Sequence, residues 1–351
     1  MTSRLPVRFL LPDAYRVGGT VRTVFNLAGA LADRHDVEIA SVARSSAQPA
    51  LDPPPSVRLV PLDEDGIAAY VRAADDGVLI GTRPGLNVTL ARLARPGVVA
   101  VGQEHFHLAH HSVEQQAEMR RWYSRLDAHV SLTERDAAAY RQLLGTAAEV
   151  RRIPNGIADP GVSPSTTGAP LAVAAGRLAR QKGYDRLLRA WQQVREVHPE
   201  WRLRIFGEGP HRPRLEAMIE RLDIAASVEL AGFTDRLPDE LARGSFFVLS
   251  SRFEGLPMVL LEAMSCGLPA VSFDCPTGPR ELVTSGVNGL LVPPDDVPAL
   301  ADAIVEMIEL GPRRVEMGAA AYTTSLRYRT PAIAAQWEAL FEELAPLADR
   351  R

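Results

Sequence analysis

The chain is poor in the residues that build metal sites, covalent staples and membrane spans. Its two cysteines, Cys266 and Cys275, show neither zinc spacing nor a disulfide framework, which fits a reducing, cytoplasmic setting. No apolar run reaches the ~18 residues that a membrane-spanning helix needs. The opening VRFLLPD (7–13) lacks the long apolar region and small-residue cleavage site of a signal peptide and reads as a first strand. Lysine is almost missing: there is one, Lys182, against 38 arginines. A wholesale exchange of Lys for Arg reports genomic base composition, so a lysine that persists draws attention. The net charge is −4, with 18 Arg against 18 acids up to residue 160 and 21 basic against 25 acidic residues beyond it. Neither half is polybasic, which argues against a nucleic-acid partner.

What is present is ordinary globular material, 46% hydrophobic and 23% charged, so disorder is excluded. At roughly 150 residues per domain, 351 residues suggest two. Apolar strand-like runs fall at 7–13, 36–43, 56–62, 77–82, 97–105 and 128–133, with helix-patterned stretches at 20–34, 64–74, 85–95, 112–126 and 134–144. Strands of this kind joined by crossover helices imply a parallel sheet covered on both faces. NGIADPGVSPSTTGAP (155–170) is linker chemistry, after which the alternation restarts at 171. The expected fold is α/β, two doubly wound Rossmann-like domains facing across a cleft. The first covers 1–158, a linker covers 159–170, and the second covers 171–325. A C-terminal helix within 326–351 is expected to return to the first domain. Ligands are expected at the carboxyl ends of the strands, in a cleft that closes on them through the linker.

Chemistry concentrates in a few loops. In SSRFEGLPMVLLEAMSCGLPAVSF (250–273), Glu254 ends a strand and Gly255 and Leu256 lead into a helix, whose N-terminal N–H groups suit an anion. Glu262 follows inside that helix, with seven residues between the two glutamates. Arg177 and Lys182, in AAGRLARQKGYDRLLRAW (174–191), sit at a strand–loop–helix junction, where a fork and a point charge can clamp a diphosphate. Alone, each pair reads equally well as surface charge. VGGTVR (17–22) offers Gly18 and Gly19 before a helix but no G-x-G-x-x-G, and the second strand lacks a terminal acid, which counts against NAD. GQEHFHLAHHS (102–112) holds four of the eight histidines. His107 and His111 lie four apart without the H-E-x-x-H carboxylate, so zinc is not expected. Asp63-Glu64-Asp65 has a metal-binding D-x-D look but reads as helix-start acids.

The block 250–296, with Glu254 and Glu262, resembles the retaining glycosyltransferases of family 4, which have two Rossmann-like domains (the GT-B fold). The resemblance runs end to end and is most specific over 171–296. It implies transfer of a sugar from a nucleoside-diphosphate sugar, a UDP-hexose or UDP-N-acetylhexosamine by frequency, to an acceptor hydroxyl with retention and without metal or cofactor. It implies Arg177 and Lys182 on the diphosphate, Glu254 on the sugar, Glu262 on the ribose, and His105 facing sugar and acceptor. It likewise implies Gly19 near the donor phosphate, Gly255 and Leu256 at the anion site, and Gly207, Gly232 and Phe233 around the nucleotide. IPNGI (153–157) matches the family as a structural element. CPTGPREL (275–282) resembles enzymes of envelope glycans and wall polymers, so the acceptor is expected to be a glycan, a polymer or a natural product. A peripheral contact with the inner face of the membrane is considered at Met119, Arg120, Arg121, Trp122 and Tyr123. The alternatives are a sugar phosphorylase or epimerase on the same fold, or an NAD-dependent oxidoreductase.

Overall fold

Along the first strand the side chains alternate between two cores. Val7, Phe9 and Leu11 fall in one buried cluster and Leu10 in another, as a strand apolar on both faces requires. The computed structural model describes residues 4–348, other than Val17, Ala50, Glu64 and Asp65, with side chains as far as Ala345. It divides the chain into two units, residues 1–158 with 328–351, and residues 159–327.

The first unit contains β1 (Pro6–Asp13), α1 (Gly19–Leu31), β2 (Asp36–Ala43), β3 (Arg58–Pro61), α2 (Gly66–Ala73), β4 (Val78–Gly81) and α3 (Pro84–Leu93). It continues with β5 (Val99–Glu104), α4 (Val113–Trp122), β6 (Ala128–Ser131), α5 (Glu134–Leu144) and β7 (Val150–Arg152). The sheet is parallel in the order β3-β2-β1-β4-β5-β6-β7. The order reverses between β1 and β4, so the carboxyl ends of these strands and of β5 flank the switch point where such sheets bind ligands.

The second unit contains β8 (Leu171–Ala175), α6 (Tyr184–Val197), β9 (Arg202–Phe206), α7 (Arg212–Arg221), β10 (Val228–Gly232), α8 (Leu237–Ala242) and β11 (Phe246–Leu249). Then come α9 (Met258–Ser265), β12 (Ala270–Phe273), α10 (Pro279–Leu282), β13 (Gly289–Val292), α11 (Val297–Glu309) and α12 (Pro312–Leu326). Its sheet runs β10-β9-β8-β11-β12-β13, all parallel, with the switch between β8 and β11. Buried Leu187, Leu188, Trp191 and Val194 recur at helical spacing and hold α6 against the sheet. The chain then returns to the first unit as α13 (Thr330–Ala348), which inserts Ile333, Trp337, Leu340, Phe341 and Leu344 beside Phe9 and Phe25.

Three sequence expectations change. The sequence pattern also predicts a helix over 278–285, but it stops at Leu282, because Thr284 starts a turn: the N–H groups of Val287 and Asn288 donate to its carbonyl, and its own N–H donates to Asn288 Oδ1. The helix expected over 112–126 opens on a Ser112/Gln115 capping box and tightens into a 3₁₀ turn at Tyr123–Arg125. The linker 159–170 is irregular but fastened to the second unit. Ser165 N–H donates to Cys266 O (2.8 Å), Ser165 Oγ donates to Gly244 O (2.5 Å), and Arg314 Nη2 donates to Thr167 O (3.0 Å). Part of the D-x-D triplet, Glu64 and Asp65, lies outside the described residues, and α2 begins directly after it.

Candidate active site

In the second unit the loops after β8 and β11 meet beside the switch point. β8 ends at Ala175, Arg177 follows, and a 3₁₀ turn (Arg180–Lys182) precedes α6. Gly183 makes that junction possible. Its φ is +65°, and a Cβ there would lie 2.0 Å from Ser250 O, so the turn is pressed against the end of β11. Ser250 Oγ donates to Lys182 O (2.9 Å), and Arg252 grips Asp185 with two nitrogens at 2.9 and 2.8 Å.

This packing brings together two residues distant in sequence. Lys182 Nζ lies 2.7 Å from Glu254 Oε1, with side chains 17% and 7% exposed. Ser251 Oγ donates to the same oxygen at 2.6 Å, and Glu254 N–H donates to Pro276 O at 2.7 Å. Arg177 is exposed and has no ion-pair partner among the described residues. Gly255 and Leu256 lead into α9, which has no side-chain N-cap, and Glu262 sits half-buried on the same helix. Cys275 is buried close by, and burial pushes its thiol up to about 12, so it stays an unreactive thiol.

The glycine loops line the same strand ends. Gly207 has φ +128°, and a Cβ there would stand 2.2 Å from Gly176 O. Its N–H donates to Gly232 O (2.7 Å), and Leu178 N–H donates to Glu208 O (2.9 Å), so the ends of β8, β9 and β10 form one rim. Phe233, on that rim, is 73% exposed. Of the sequence-derived set, Arg177, Lys182, Gly207, Gly232, Phe233, Glu254, Gly255, Leu256 and Glu262 all belong to this unit, at the end of a strand, on the loops that follow the strands, or, for Glu262, within α9.

Gly19 and His105 belong to the first unit. Gly19 opens α1, and a Cβ on it would meet nothing within 4 Å. His105 follows β5 and is buried. Burial, with a smaller contribution from the charge of Arg83, holds its ring down to about 3. The Nδ2 amide of Asn155 faces Nδ1 at 3.5 Å, while Nε2 is buried without a hydrogen-bond partner. Nδ1 is then the acceptor, and the neutral ring carries its proton on Nε2. Asn155 belongs to the segment read from sequence as structural.

Sequence reasoning also passed over Glu104. It is fully buried, and Oε1 accepts from Tyr123 Oη (2.7 Å) and Asn87 Nδ2 (2.8 Å). Burial drives its carboxyl up to about 8 against those hydrogen bonds. The signal was in the strands: Cβ atoms on Gly81 and Gly102 would meet the Asn87 side chain at 2.2 and 3.1 Å, so two glycines make room for this polar group. The proposed membrane face does not hold as a unit, since Met119 and Tyr123 are fully buried. Trp122 instead has the guanidinium groups of Arg92, Arg121 and Arg125 within 5.2 Å of its ring centre. No helix among the described residues is long and apolar enough to cross a membrane.

Two family models match the chain in tandem: Glycosyltransferase Family 4 over residues 17–159 and Glycosyl transferases group 1 over 158–324. The chain belongs to this glycosyltransferase family, and its two parallel-sheet units are those of the GT-B fold. It is 34% identical to an exopolysaccharide phosphotransferase of Streptomyces coelicolor over 98% of its own length and 41% of that protein. The chain spans less than half the length of the curated relatives it matches. Among solved structures, it is similar to HepE of Anabaena, determined in complex with UDP (TM-score 0.86, 22% identity, 97% of this chain and 100% of the other). It is also similar to the sucrose-phosphate synthase of Thermosynechococcus elongatus (TM-score 0.83, 20% identity, 97% and 99%). At these identities the structural likeness speaks for the fold.

Proposed function

We propose that the chain is a retaining glycosyltransferase that moves a hexose or N-acetylhexosamine from a UDP-sugar to an acceptor hydroxyl. The observation that carries this reading is the Lys182–Glu254 contact at the β8/β11 switch point, with Arg177 on the same loop as Lys182. The two cations and the start of α9 would neutralise the charge that grows on the departing diphosphate, which is where preorganised electrostatics acts. Glu254, already oriented by Ser251, would hold sugar hydroxyls, and Glu262 the ribose. Phe233 presents a ring face for the base. His105 would give its Nε2–H to a sugar or acceptor oxygen. Charge neutralisation by Arg177 and Lys182 supports transfer without a metal ion.

The UDP in the HepE complex supports the choice of base, and the exopolysaccharide in the Streptomyces relative's name supports a glycan acceptor. The Arg-ringed Trp122 supports a peripheral contact with anionic lipid at the inner face of the membrane, the setting of envelope glycans. The first test is a thermal-shift screen of nucleotides and nucleotide sugars, followed by transfer assays in saturating EDTA. UDP and a UDP-sugar should raise the melting temperature and turnover should survive chelation. Loss of turnover restored by magnesium would remove metal independence. Donor turnover without any acceptor would favour an epimerase, and turnover dependent on inorganic phosphate a phosphorylase.

A further inference from the structure

Arg83 differs from the other arginines of its kind. Among the described residues, the remaining arginines that are not fully exposed each make a hydrogen bond or ion pair, as Arg252 does to Asp185, Arg204 to Glu229 and Glu240, and Arg314 to Thr167 O. Arg83 is half-buried and its side chain makes neither. Its guanidinium instead lies over the Phe106 ring, 4.6 Å from the centroid. It stands at the carboxyl end of β4, in extended backbone just before α3, and its charge reaches His105 at the end of neighbouring β5. A guanidinium taken partly out of water without an acceptor is costly unless a ligand supplies one.

The charge of the buried Glu104 acts on Arg83, though no hydrogen bond or ion pair joins the two, and among the other nearby groups are donors and positive charges. His105 offers its unpartnered Nε2–H. Arg135, exposed on the first turn of α5, bears on His107, which in turn contacts the His110 ring. The nearby acids are engaged elsewhere. Glu104 is enclosed beneath by Tyr123 and Asn87, and Asp136 Oδ1 accepts from Leu108 N–H at 2.9 Å.

We propose that this end of the first unit binds an oxyanion of the acceptor, a phosphate or a uronate carboxylate, with Arg83 as its principal partner and Phe106 fixing the plane of the guanidinium. The proposal rests on the glycosyltransferase reading and narrows its acceptor to a charged one. Arg83 forms a fork that matches two oxygens of either group.

The test uses the full chain with UDP saturating, so that phosphate cannot enter the donor loops. Calorimetric titration with glucose 6-phosphate, glucuronate and glucose compares one hexose frame with and without charge. Wild type should bind one or both anions at least about ten-fold more tightly than glucose, and Arg83→Gln should weaken the anions by a similar factor while leaving glucose and UDP affinities unchanged. Phosphate alone, or carboxylate alone, identifies the oxyanion. Equal anion binding in wild type and Arg83→Gln, glucose bound as tightly as the anions, or no anion binding by wild type would each overturn the proposal. Failure of UDP to bind would instead strike the donor reading, and the anion titrations could still be read without it.

Discussion

Lys182, the chain's single lysine, is held 2.7 Å from Glu254 by a turn whose Gly183 touches the end of the strand leading to that glutamate. The pair is mostly buried, so each member depends on the other for its charge to be tolerated. A donor diphosphate would compete with Glu254 for the ammonium, releasing the carboxylate for the sugar.

Arg177 and Lys182 should therefore separate in their mutants. Arg177 is exposed and unpaired among the described residues. Arg177→Ala should lower kcat/KM by about 10- to 150-fold, the worth of a charged hydrogen bond, with an unchanged melting temperature. Lys182→Ala should lose activity similarly and also stability, by about 1.5–3 kcal/mol, because Glu254 is left buried without its cation. Denaturant melts beside steady-state kinetics decide it. Equal stability losses, or wild-type kinetics in both, would remove the clamp.

Phe233 exposes 73% of its surface on the rim joined by Gly207 and Gly232. If its ring stacks on the base, Phe233→Ala should weaken UDP by about 1–3 kcal/mol, in line with base–aromatic stacking. The melting temperature of the free protein should not change, since little of the ring is buried. Titration calorimetry with UDP measures the effect, and an unchanged affinity would place the base elsewhere.

The strand–helix alternation made the fold legible, because buried parallel strands are apolar on both faces and their crossover helices carry a clear period. The loops after β8, β9, β10 and β11 were legible for a related reason: Gly, Arg, Lys and Glu interrupt apolar runs there. The contact between Lys182 and Glu254 was not, since it depends on the fit of Gly183 against Ser250 O. Glu104 stayed hidden behind its neighbour His105, because alternate residues of a strand point to opposite faces and the partners of Glu104 lie on α3 and beyond α4. Asn155 reads as a turn residue until His105 is seen against it.

His105 is neutral well below physiological pH, its ring held down to about 3 by burial first and Arg83 second. A general base titrating near 6.5 is not its role. His105→Gln, which can present an N–H near the Nε2 position, should retain more activity than His105→Ala, for which a loss of about ten-fold is expected from one neutral hydrogen bond. The acid limb of kcat/KM against pH should be the same in wild type and His105→Gln. A limb near pH 6.5 that disappears in the Gln variant would contradict a neutral donor.

Gly183→Ala tests whether the turn itself sets the pair. The new Cβ would meet Ser250 O at 2.0 Å in a left-handed backbone, so a loss of about 1–3 kcal/mol is expected. Activity should fall further than stability alone accounts for, because the turn carries Lys182. A variant with wild-type kcat/KM at a temperature where it is fully folded would show that the position of Lys182 tolerates the shift.

The buried Glu104 gives stability a pH dependence whose sign is fixed by the direction of its shift. Its folded value, about 8, lies above the unfolded carboxyl's. The native chain thus keeps a proton that the unfolded chain releases, and stability falls as pH rises between the two values. Asp136, raised by burial to about 6, acts in the same sense over a narrower window. His105 and His129, both lowered to about 3 chiefly by burial, act oppositely: the unfolded chain takes up protons that the native rings refuse, so stability falls as pH drops below about 6.5. Glu104→Gln keeps an acceptor for Tyr123 and Asn87 and places an amide near His111 Nε2, 3.7 Å from Oε2 in the native chain. Between pH 5 and 8 the wild type should lose stability relative to this variant by on the order of 3–5 kcal/mol, while below pH 5 their slopes should converge on the histidine-driven fall. Urea melts across pH 4–9 measure both. Parallel curves throughout would mean that Glu104 is ionised in the native chain and that Tyr123 and Asn87 outweigh its burial.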